Sequence, residues 1–282
     1  MKLWAIYKKE DAVRNEKFIN YLSSSCLEKG ISFELIYLEN LVLGVINNKL
    51  EIIYENKIVR DLPDGVINRT NNYLVSKQFE SKGVRCFNNS HLTQIANDKN
   101  LCYQYVSKAN IKIQDTLFNN YSLLSFPLVL KNPLGRGGNE VFLIKNEDEL
   151  KEKSSLYPTY TLQTLCRNEI AKDLRVYVIN NKIVKAILRK STKDFRANYS
   201  ISKNAEVYEL NENEVCLINK VIDLFTIDYA GIDFLINDNN ELVFNEIEDS
   251  VGARALYELT DINIASLYIE HIYKILNKKT SD

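Results

Sequence analysis

The segment from Ala230 to Arg254, AGIDFLINDNNELVFNEIEDSVGAR, constrains the fold of this chain more than any other segment. Residues 230 to 236 and 241 to 248 are apolar and β-branched enough to form strands. The Asn-Asp-Asn-Asn sequence between them has the composition of a turn. The segment therefore predicts a β-hairpin.

The side chains that matter in this predicted hairpin are carboxylates. If Ile236 lies opposite Glu241, Asp233 lies opposite Phe244. The two-residue side-chain period then gathers four side chains on one face: Asp233, Phe244, Glu246 and Glu248. Asp249 would point away from this face. Crowded carboxylates repel one another, so the cluster predicts a bound cation, and oxygen ligands favour Mg²⁺ or Mn²⁺ with phosphate oxygens completing the shell.

The alternative interpretation of the hairpin is an ordinary strand pair whose outward face is acidic and solvated. Two details favour the cation site over this alternative. Asp233 lies inside the apolar run Gly231–Leu235, and Glu246 and Glu248 flank Ile247. A dispensable surface charge is less expected at such positions.

The composition is typical of a globular protein that divides into two or three lobes, with 282 residues, 45% of them apolar and 26% charged. No apolar run approaches the length of a membrane span, and the N-terminus, MKLWAIYKKED, turns charged too early for the apolar h-region of a signal peptide. The net charge of -1, with no basic block, gives no indication of a nucleic-acid or membrane partner. Five scattered cysteines without a CxxC pair fit reduced thiols, so we expect a cytoplasmic protein. The sequence leaves open whether the chain forms a homo-oligomer.

The N-terminal part of the chain begins with a strand, helix and strand pattern. Residues 3–7 and 33–38 predict the strands, and residues 13–29 predict the helix between them. This part contains neither GxGxxG nor a P-loop. We therefore expect an α/β domain without a nucleotide site of either kind.

A concentrated glycine loop, NPLGRGGNE, separates the predicted strands at residues 126–131 and 141–144. It holds three of the nine glycines of the chain, and Lys131 precedes it directly. Glycines let backbone N–H groups approach phosphate oxygens closely, and the lysine would supply a cation. Taken alone, the loop is equally compatible with phosphate binding and with a flexible hairpin turn.

A basic segment follows a second predicted hairpin, whose strands are residues 174–179 and 183–189 and whose turn is Asn180-Asn181. Its cationic side chains are Lys185, Arg189, Lys190, Lys193 and Arg196. Either a solvated surface or an anion-binding flap explains such a segment, and the sequence leaves both open.

These motifs resemble those of the ATP-grasp superfamily in order and in approximate spacing. The motifs are Lys99 in NDK, Lys131 with KNPLGRGGNEV, and then LQTL, KDLRVYVI, FRAN, GIDFL and NEIEDSVG. The chain looks most like the RimK-like branch of carboxylate–amine ligases over about residues 90 to 255. The resemblance implies an α/β (α+β) ATP-grasp fold. Residues 1–89 would form a preATP-grasp α/β domain, and the subdomains 90–165 and 166–282 would clamp ATP.

The resemblance also implies a set of site residues. The phosphates of ATP would meet Lys99, Lys131 and the glycine loop with Gly135, Gly137 and Gly138. The adenine would lie against the hinge Gln163, Thr164 and Leu165, and Asp173 would contact the nucleotide. Arg189 and Arg196, beside Asn198, would act on phosphates or on an acyl-phosphate. Two Mg²⁺ ions would bind Asp233, Glu246 and Glu248.

The chain departs from the family pattern at three positions. Glu140 stands where relatives usually carry a further glycine, Thr164 replaces an acidic hinge residue, and Glu248 replaces the more usual asparagine of the metal site. The resemblance therefore leaves the preference between Mg²⁺ and Mn²⁺ open.

The reaction that the resemblance implies is ligation of a small-molecule or peptide carboxylate to an amine through an acyl-phosphate, with release of ADP and phosphate. Two alternatives remain at this point. The same ATP site would also serve a phosphotransferase that acts on a hydroxyl group, or a nucleotide-binding module without catalysis.

Overall fold

The computed structural model of the chain describes residues 1–166, 171–191 and 204–278. Its N-terminal part is a parallel sheet with strands β1 (Lys2–Tyr7), β2 (Ser32–Tyr37), β6 (Gly65–Asn68) and β7 (Arg85–Phe87), in the order β2-β1-β6-β7. Its helices are α1 (Lys9–Arg14), α2 (Glu16–Glu28) and α3 (Tyr73–Ser81). The last five residues of β1 are buried, as a parallel strand covered on both faces requires.

A small antiparallel sheet branches off between β2 and β6. It follows the short 3₁₀ helix Leu38–Asn40 and consists of β3 (Leu41–Ile46), β4 (Lys49–Tyr54) and β5 (Lys57–Ile58).

The central part of the chain begins with two helices, α4 (Ser90–Ala96) and α5 (Lys99–Ser107). The Asp98 carboxylate accepts hydrogen bonds from the backbone N–H groups of Asn100 and Leu101, which caps the helix that begins at Lys99. An antiparallel sheet follows, in the order β10-β9-β11-β8. Its elements are β8 (Thr116–Phe118), β9 (Leu128–Lys131), β10 (Val141–Ile144), α6 (Glu147–Ser154) and β11 (Thr161–Thr164).

The C-terminal part is a larger antiparallel sheet in the order β14-β13-β12-β15-β16. Its strands are β12 (Ala171–Ile179), β13 (Lys182–Ser191), β14 (Ala205–Tyr208), β15 (Tyr229–Ile236) and β16 (Leu242–Glu248), and its helices are α7 (Glu212–Ile222), α8 (Arg254–Leu259) and α9 (Ile264–Lys278). Asn180 and Asn181, between β12 and β13, both have positive φ angles. Two such residues make the tight hairpin turn that the sequence predicted.

The N-terminal and C-terminal sheets share one hydrophobic core. Leu3 and Phe18 from the first sheet layer pack in the same cluster as Tyr177, Tyr229 and Tyr268. The rings of Phe18 and Tyr229 are stacked with their centroids 6.0 Å apart. The two sheets are therefore packed as one body.

Polar contacts reinforce this junction. The Asn88 side chain accepts hydrogen bonds from the backbone N–H groups of Asp228 and Tyr229, at 2.8 and 3.0 Å. Arg85 makes a two-fold ion pair with Asp228 at 2.8 and 2.9 Å, and Nε2 of His271 lies 2.8 Å from the same carboxylate. Arg85 of β7 and His271 of α9 are thus fixed to one buried aspartate, which directly precedes β15.

The hairpin of β15 and β16 forms, but its predicted register is wrong. Ile236 pairs with Leu242 and Asp233 pairs with Glu246, with an irregularity between Asp233 and Phe234. The turn closes with a hydrogen bond from the Asn237 N–H to the Glu241 carbonyl, which shifts the pairing by one residue from the predicted register and places Phe244 opposite Phe234. A bulge at Asn245 shifts the pairing by one further residue and brings Glu246 opposite Asp233. Phe244 accordingly lies in the core, edge-on to Phe234.

None of the helices in the described ranges combines the length and the apolar character that crossing a bilayer requires.

Candidate nucleotide and metal site

A cavity of about 90 Å³ lies between the central sheet and the C-terminal sheet. Many of the predicted site residues line it: Lys99, Lys131, Gly135, Gly137, Gly138, Gln163, Thr164, Leu165, Asp173 and Glu246. Apolar side chains, among them Val129 and Ile236, form the rest of its walls. Apolar walls with a few convergent polar groups are typical of a small-molecule site.

The two lysines enter the cavity from different elements. Lys131, the last residue of β9, is buried, and its Nζ donates to Oδ1 of Asn245 at 2.9 Å and to the Tyr103 hydroxyl at 3.2 Å. Lys99, the first residue of α5, donates to the carbonyl of Gly135 at 2.6 Å, and its Nζ lies 3.4 Å from Oε2 of Glu246. Burial lowers the pKa of Lys131 to about 8.

The glycine loop closes one side of the cavity. Gly137 and Gly138 have φ angles of 62° and 75°, which side chains other than glycine rarely adopt. A Cβ atom at Gly135 would lie 3.1 Å from Cβ and 3.2 Å from the carbonyl oxygen of Asn132, and it would require the Glu140 carboxylate to move, so this position is tight for a side chain. Glu140, the departure from the family pattern, accepts a hydrogen bond from the Asn132 side chain and thereby spans the base of the loop.

The predicted hinge lies at the end of β11. The Gln163 side chain faces the interior, where it donates to Thr116 at 2.8 Å. The Thr164 hydroxyl donates to Gln114 at 2.9 Å. With both side chains engaged in this way, the hinge offers a ligand mainly backbone groups.

Four charged side chains of β12, β13 and β15 form a buried network next to the cavity, which one of them, Asp173, lines. Asp233 accepts hydrogen bonds from Nε of Arg175 at 2.8 Å, from Nη2 of Arg175 at 2.6 Å and from Nη2 of Arg189 at 2.8 Å. Arg189 also donates to Asp173. These ion pairs compensate charges that would be costly to bury alone.

The network shifts its two aspartates in opposite directions. Burial raises the pKa of Asp173 to about 6, although Arg189 acts against this shift. Burial also disfavours the charged form of Asp233, but Arg175 and Arg189 outweigh it and lower the pKa to about 2. Asp233 is therefore a permanent anion at neutral pH.

Asp233, Glu246 and Glu248 form the predicted carboxylate cluster, with one oxygen of each lying within 4.8 Å of the others. Among the described residues, no other group of three or more aspartate, glutamate, histidine or cysteine side chains lies close enough together to hold a metal ion. Glu248 is also bound to Nη2 of Arg175 at 2.7 Å.

The donor set fits Mg²⁺ or Mn²⁺, which prefer oxygen ligands. Glu246 and Glu248 are only half-buried, so their oxygens are accessible. Asp233 has about four lone-pair positions, of which three accept hydrogen bonds from the arginines. It can therefore offer one further contact to a cation without losing these partners.

The bulge in β16 explains how two successive residues, Asn245 and Glu246, both reach the cavity. In a bulge two successive residues oppose one residue of the neighbouring strand. Asn245 and Glu246 consequently both line the cavity, where Asn245 binds Lys131 and Glu246 lies near Lys99.

Sequence reasoning missed Arg175, Asn245 and Tyr103 as parts of the site. Arg175 had a detectable signal, because the two-residue period of β12 places it on the same face as Asp173. Asn245 and Tyr103 had none, since the first depends on the bulge and the second on how α5 packs. Arg196 and Asn198 lie outside the described residues.

Comparison with known proteins places this chain in a family. Residues 96–272 match the RimK-like ATP-grasp domain. An uncharacterized protein of Mycoplasma genitalium is 28% identical over 96% of this chain and 93% of its own length. Human beta-citrylglutamate synthase B is 23% identical over 98% of this chain and 78% of its own length.

A solved structure has the same fold. It is a RiPP-associated ATP-grasp ligase of Chryseobacterium gregarium in complex with ADP and a leader and core peptide, with 18% sequence identity and a TM-score of 0.69. The superposition covers 99% of this chain and 97% of the other. The expected ATP-grasp fold is therefore confirmed.

The family match also confirms the expected activity, ATP-dependent ligation of a carboxylate to an amine, and the expected cofactors, ATP and Mg²⁺. The match spans well over half of the sequence, from α4 into α9. The chain belongs to the RimK-like ATP-grasp family.

Proposed function

We propose that the cavity between the central and C-terminal sheets binds ATP, and that ligation takes place where it meets Glu246 and Glu248. The observation that carries this proposal is the convergence of two lysines, a glycine loop and a carboxylate cluster from separate elements on one cavity. The division of the chain follows from it. Residues 90–165 and 166–282 clamp the nucleotide, and residues 1–89 form the preATP-grasp domain.

In this proposal each charged group has a defined task. Lys99 and Lys131 bind phosphate oxygens beneath the glycine loop, and the backbone at Thr164 and Leu165 contacts the adenine. Asp233, Glu246 and Glu248 would hold Mg²⁺, which neutralises phosphate charge when it is bound. These tasks match the chemistry of the groups, because phosphates need cations and magnesium needs oxygen ligands.

Arg189 is the described candidate for contact with the transferred phosphoryl group. Its Nη2 is committed to Asp173 and Asp233, whereas its Nε is buried without a hydrogen-bond partner in the part of the chain that the structure describes. A buried donor without a partner costs free energy, so a phosphoryl oxygen would be a favourable acceptor for it. Arg196 and Asn198 stay proposed phosphate contacts by resemblance alone.

The reaction needs no nucleophile from the protein. The substrate carboxylate attacks the γ-phosphorus of ATP, which yields an acyl-phosphate and ADP. The amine nitrogen then forms a bond to the acyl carbon, the bond to phosphate breaks, and the nitrogen loses its proton. The lysines and Arg189 stabilise the charge that spreads over the phosphoryl oxygens in the first step.

An amino acid is the amine that we propose for the second step. The name of the human relative, beta-citrylglutamate synthase, contains glutamate joined to a carboxylic acid. The Chryseobacterium ligase was solved with a peptide, which is also built from amino acids. The carboxylate partner is a small acid or a peptide side chain.

The purified protein is incubated with Mg²⁺, ATP and combinations of small carboxylic acids and L-amino acids. It should release ADP and phosphate only when a carboxylic acid and an amino acid that it accepts are both present. This follows because the acyl-phosphate turns over only when an amine accepts the acyl group. Nucleotide products are measured by chromatography. Release of AMP and pyrophosphate would contradict the acyl-phosphate route, and a stable phosphorylated product without an amine would favour a phosphotransferase.

Replacing Lys131 with alanine should weaken ATP binding by roughly 10- to 100-fold, because a hydrogen bond to a charged group is worth about 1.5–3 kcal/mol. The pKa of Lys131, near 8, adds a pH dependence. ATP affinity should fall as the pH rises through about 8, since the lysine then loses its charge. Lys131→Arg should remove this dependence, because arginine stays protonated.

ATP affinity measured by calorimetry between pH 6.5 and 9.5 checks both expectations. Lys145→Ala is the matched control, because Lys145 is exposed, directly follows β10 and does not line the cavity. Unchanged ATP affinity in Lys131→Ala would mean that the glycine loop is only a turn.

A further inference from the structure

The segment that follows the carboxylate cluster is held by side chains at four successive carbonyl groups. β16 ends at Glu248, and residues 249–252, which we call the strap, come directly after it. The donors are Asn88 to the carbonyl of Asp249 at 3.2 Å, Nη2 of Arg69 to those of Ser250 and Val251 at 3.1 and 2.9 Å, and the Tyr177 hydroxyl to that of Gly252 at 3.0 Å. The strap is therefore fixed along its whole length, and Arg69 holds its middle.

Arg69 belongs to the N-terminal domain, where it directly follows β6. Only 6% of its surface is exposed. Its guanidinium carbon lies 5.1 Å from the ring centroid of Phe18 and 5.9 Å from that of Tyr229, over both rings. Aromatic faces attract a cation at such distances, and two of them restrict its movement. Arg69 therefore reaches the strap from a rigid position.

An arginine at this position is costly for the fold. Its Nε and Nη1 are buried, and neither has a hydrogen-bond partner in the part of the chain that the structure describes. Buried donors without partners cost free energy, and so does the burial of the charge. A methionine of similar length would avoid both costs. Because such costs are typically retained at functional sites, Arg69 is expected to do more than fill the core.

The strap packs against the strand that pairs with the end of β16. Gly231 of β15 lies opposite Glu248 in the sheet, and a Cβ atom at Gly231 would lie only 2.6 Å from Cγ2 of Val251. Val251 is buried, and its carbonyl is one of the two that Arg69 holds. The backbone of Glu248 is thus fixed both by its pairing with β15 and by the strap that Arg69 holds against the same strand.

We propose that Arg69 is a positioning residue for the metal site: by holding the strap, it keeps the carboxylate of Glu248 where it shares a cation with Asp233 and Glu246. The assignment rests on the proposed function, in which these three carboxylates hold Mg²⁺. It gives the N-terminal domain, which supplies none of the three carboxylates, a part in metal binding. Residues that orient metal ligands change metal affinity by about 10- to 100-fold when they are replaced.

The direction of the change in metal affinity separates positioning from the effect of charge alone. Arg69 donates to the carbonyl of Ser250, only two residues beyond Glu248, so its positive charge lies near the cluster. Repulsion between like charges predicts that a neutral residue in place of Arg69 strengthens the binding of a cation. Positioning predicts the opposite, because Glu248 would no longer be held in place.

Equilibrium binding of Mn²⁺ alone, followed by electron paramagnetic resonance, tests the assignment without turnover. Arg69→Met should raise the Mn²⁺ dissociation constant by about tenfold. Urea denaturation establishes that the variant is folded under the conditions of the titration. Arg85→Met is the matched control, because Arg85 also joins the N-terminal domain to the C-terminal part, but through Asp228, outside the strap. It should lower the free energy of unfolding and leave the affinity for Mn²⁺ unchanged.

Arg69→Lys is the second variant, and it decides the matter if Arg69→Met does not fold. It keeps the charge between the aromatic rings but lacks the planar group that donates to two carbonyls at once. Loss of one hydrogen bond should raise the Mn²⁺ dissociation constant by about threefold. Unchanged or tighter Mn²⁺ binding in either folded variant overturns the assignment, and so does an equal weakening in Arg85→Met. A wild type that does not bind Mn²⁺ would contradict the proposed metal site itself, and with it this assignment.

Discussion

Replacing Glu246 with glutamine should lower Mg²⁺-dependent turnover by about 100-fold or more, with the fold intact. The change keeps the shape of the side chain and removes one charged ligand, and a metal ligand of this kind is worth a few kcal/mol. It also deprives Lys99 of the anion that lies 3.4 Å from its Nζ. Turnover is measured as ADP release over a range of Mg²⁺ concentrations, and Mn²⁺ binding is followed by electron paramagnetic resonance.

Glu241→Gln is the matched control for this experiment. Glu241 lies just before β16, is exposed and pairs with Lys112 outside the site. Glu248→Asn introduces the asparagine that the ATP-grasp resemblance implies at this position and keeps an oxygen ligand, so measurable activity with a changed Mg²⁺ to Mn²⁺ preference is expected. If Glu246→Gln is fully active, the carboxylate cluster is not a metal site.

Asp233→Asn should lower the free energy of unfolding by about 3 kcal/mol. Removing one partner from a buried ion pair leaves the other charges uncompensated, which typically costs 3–5 kcal/mol. Arg175 retains its ion pair with Glu248, and Arg189 retains its ion pair with Asp173. We therefore expect a loss at the lower end of this range. Urea denaturation at pH 7 measures the loss, and Asp238→Asn, in the exposed turn of the same hairpin, is the control.

The pH dependence of this effect has a defined direction. The pKa of Asp233 is lowered to about 2 in the folded protein, below its ordinary value of about 3.8. The stabilisation is therefore complete above the ordinary pKa and is lost as the pH falls towards 2. The difference in stability between wild type and Asp233→Asn should shrink over this acidic range. Equal stability of the two proteins at pH 7 would contradict the structural role of the ion pairs.

The sequence predicts the elements of this fold well where the physical signal is local. The Asn180-Asn181 turn and the strands on either side of the glycine loop follow from turn chemistry and apolar runs. The hairpin at residues 230–248 was also predictable as a hairpin. Its register was not, because it depends on a turn that closes between Asn237 and Glu241 and on a bulge at Asn245, neither of which a local sequence pattern specifies.

The charged site was predictable in its anions but not in its counter-ions. Asp233, Glu246 and Glu248 interrupt apolar runs and therefore attract notice in the sequence. Arg175 belongs to another strand, and its pairing with both Asp233 and Glu248 depends on the sheet order that places β12 beside β15. No local pattern specifies such an order, so the ion pairs become visible only in the folded chain.

The buried asparagine and aspartate between the N-terminal and C-terminal sheets have a consequence for exchanging parts between relatives. Asn88 and Asp228 carry hydrogen bonds and ion pairs across this junction, and Phe18 stacks on Tyr229 within the same core. A chimera that joins residues 1–89 of one ligase to the remainder of another would separate Asn88 and Phe18 from the partners with which they pack. The residues on both sides of this junction would then have to be changed back to those of a single parent. Substrate range within the family is therefore more readily altered by grafting cavity residues than by shuffling whole lobes.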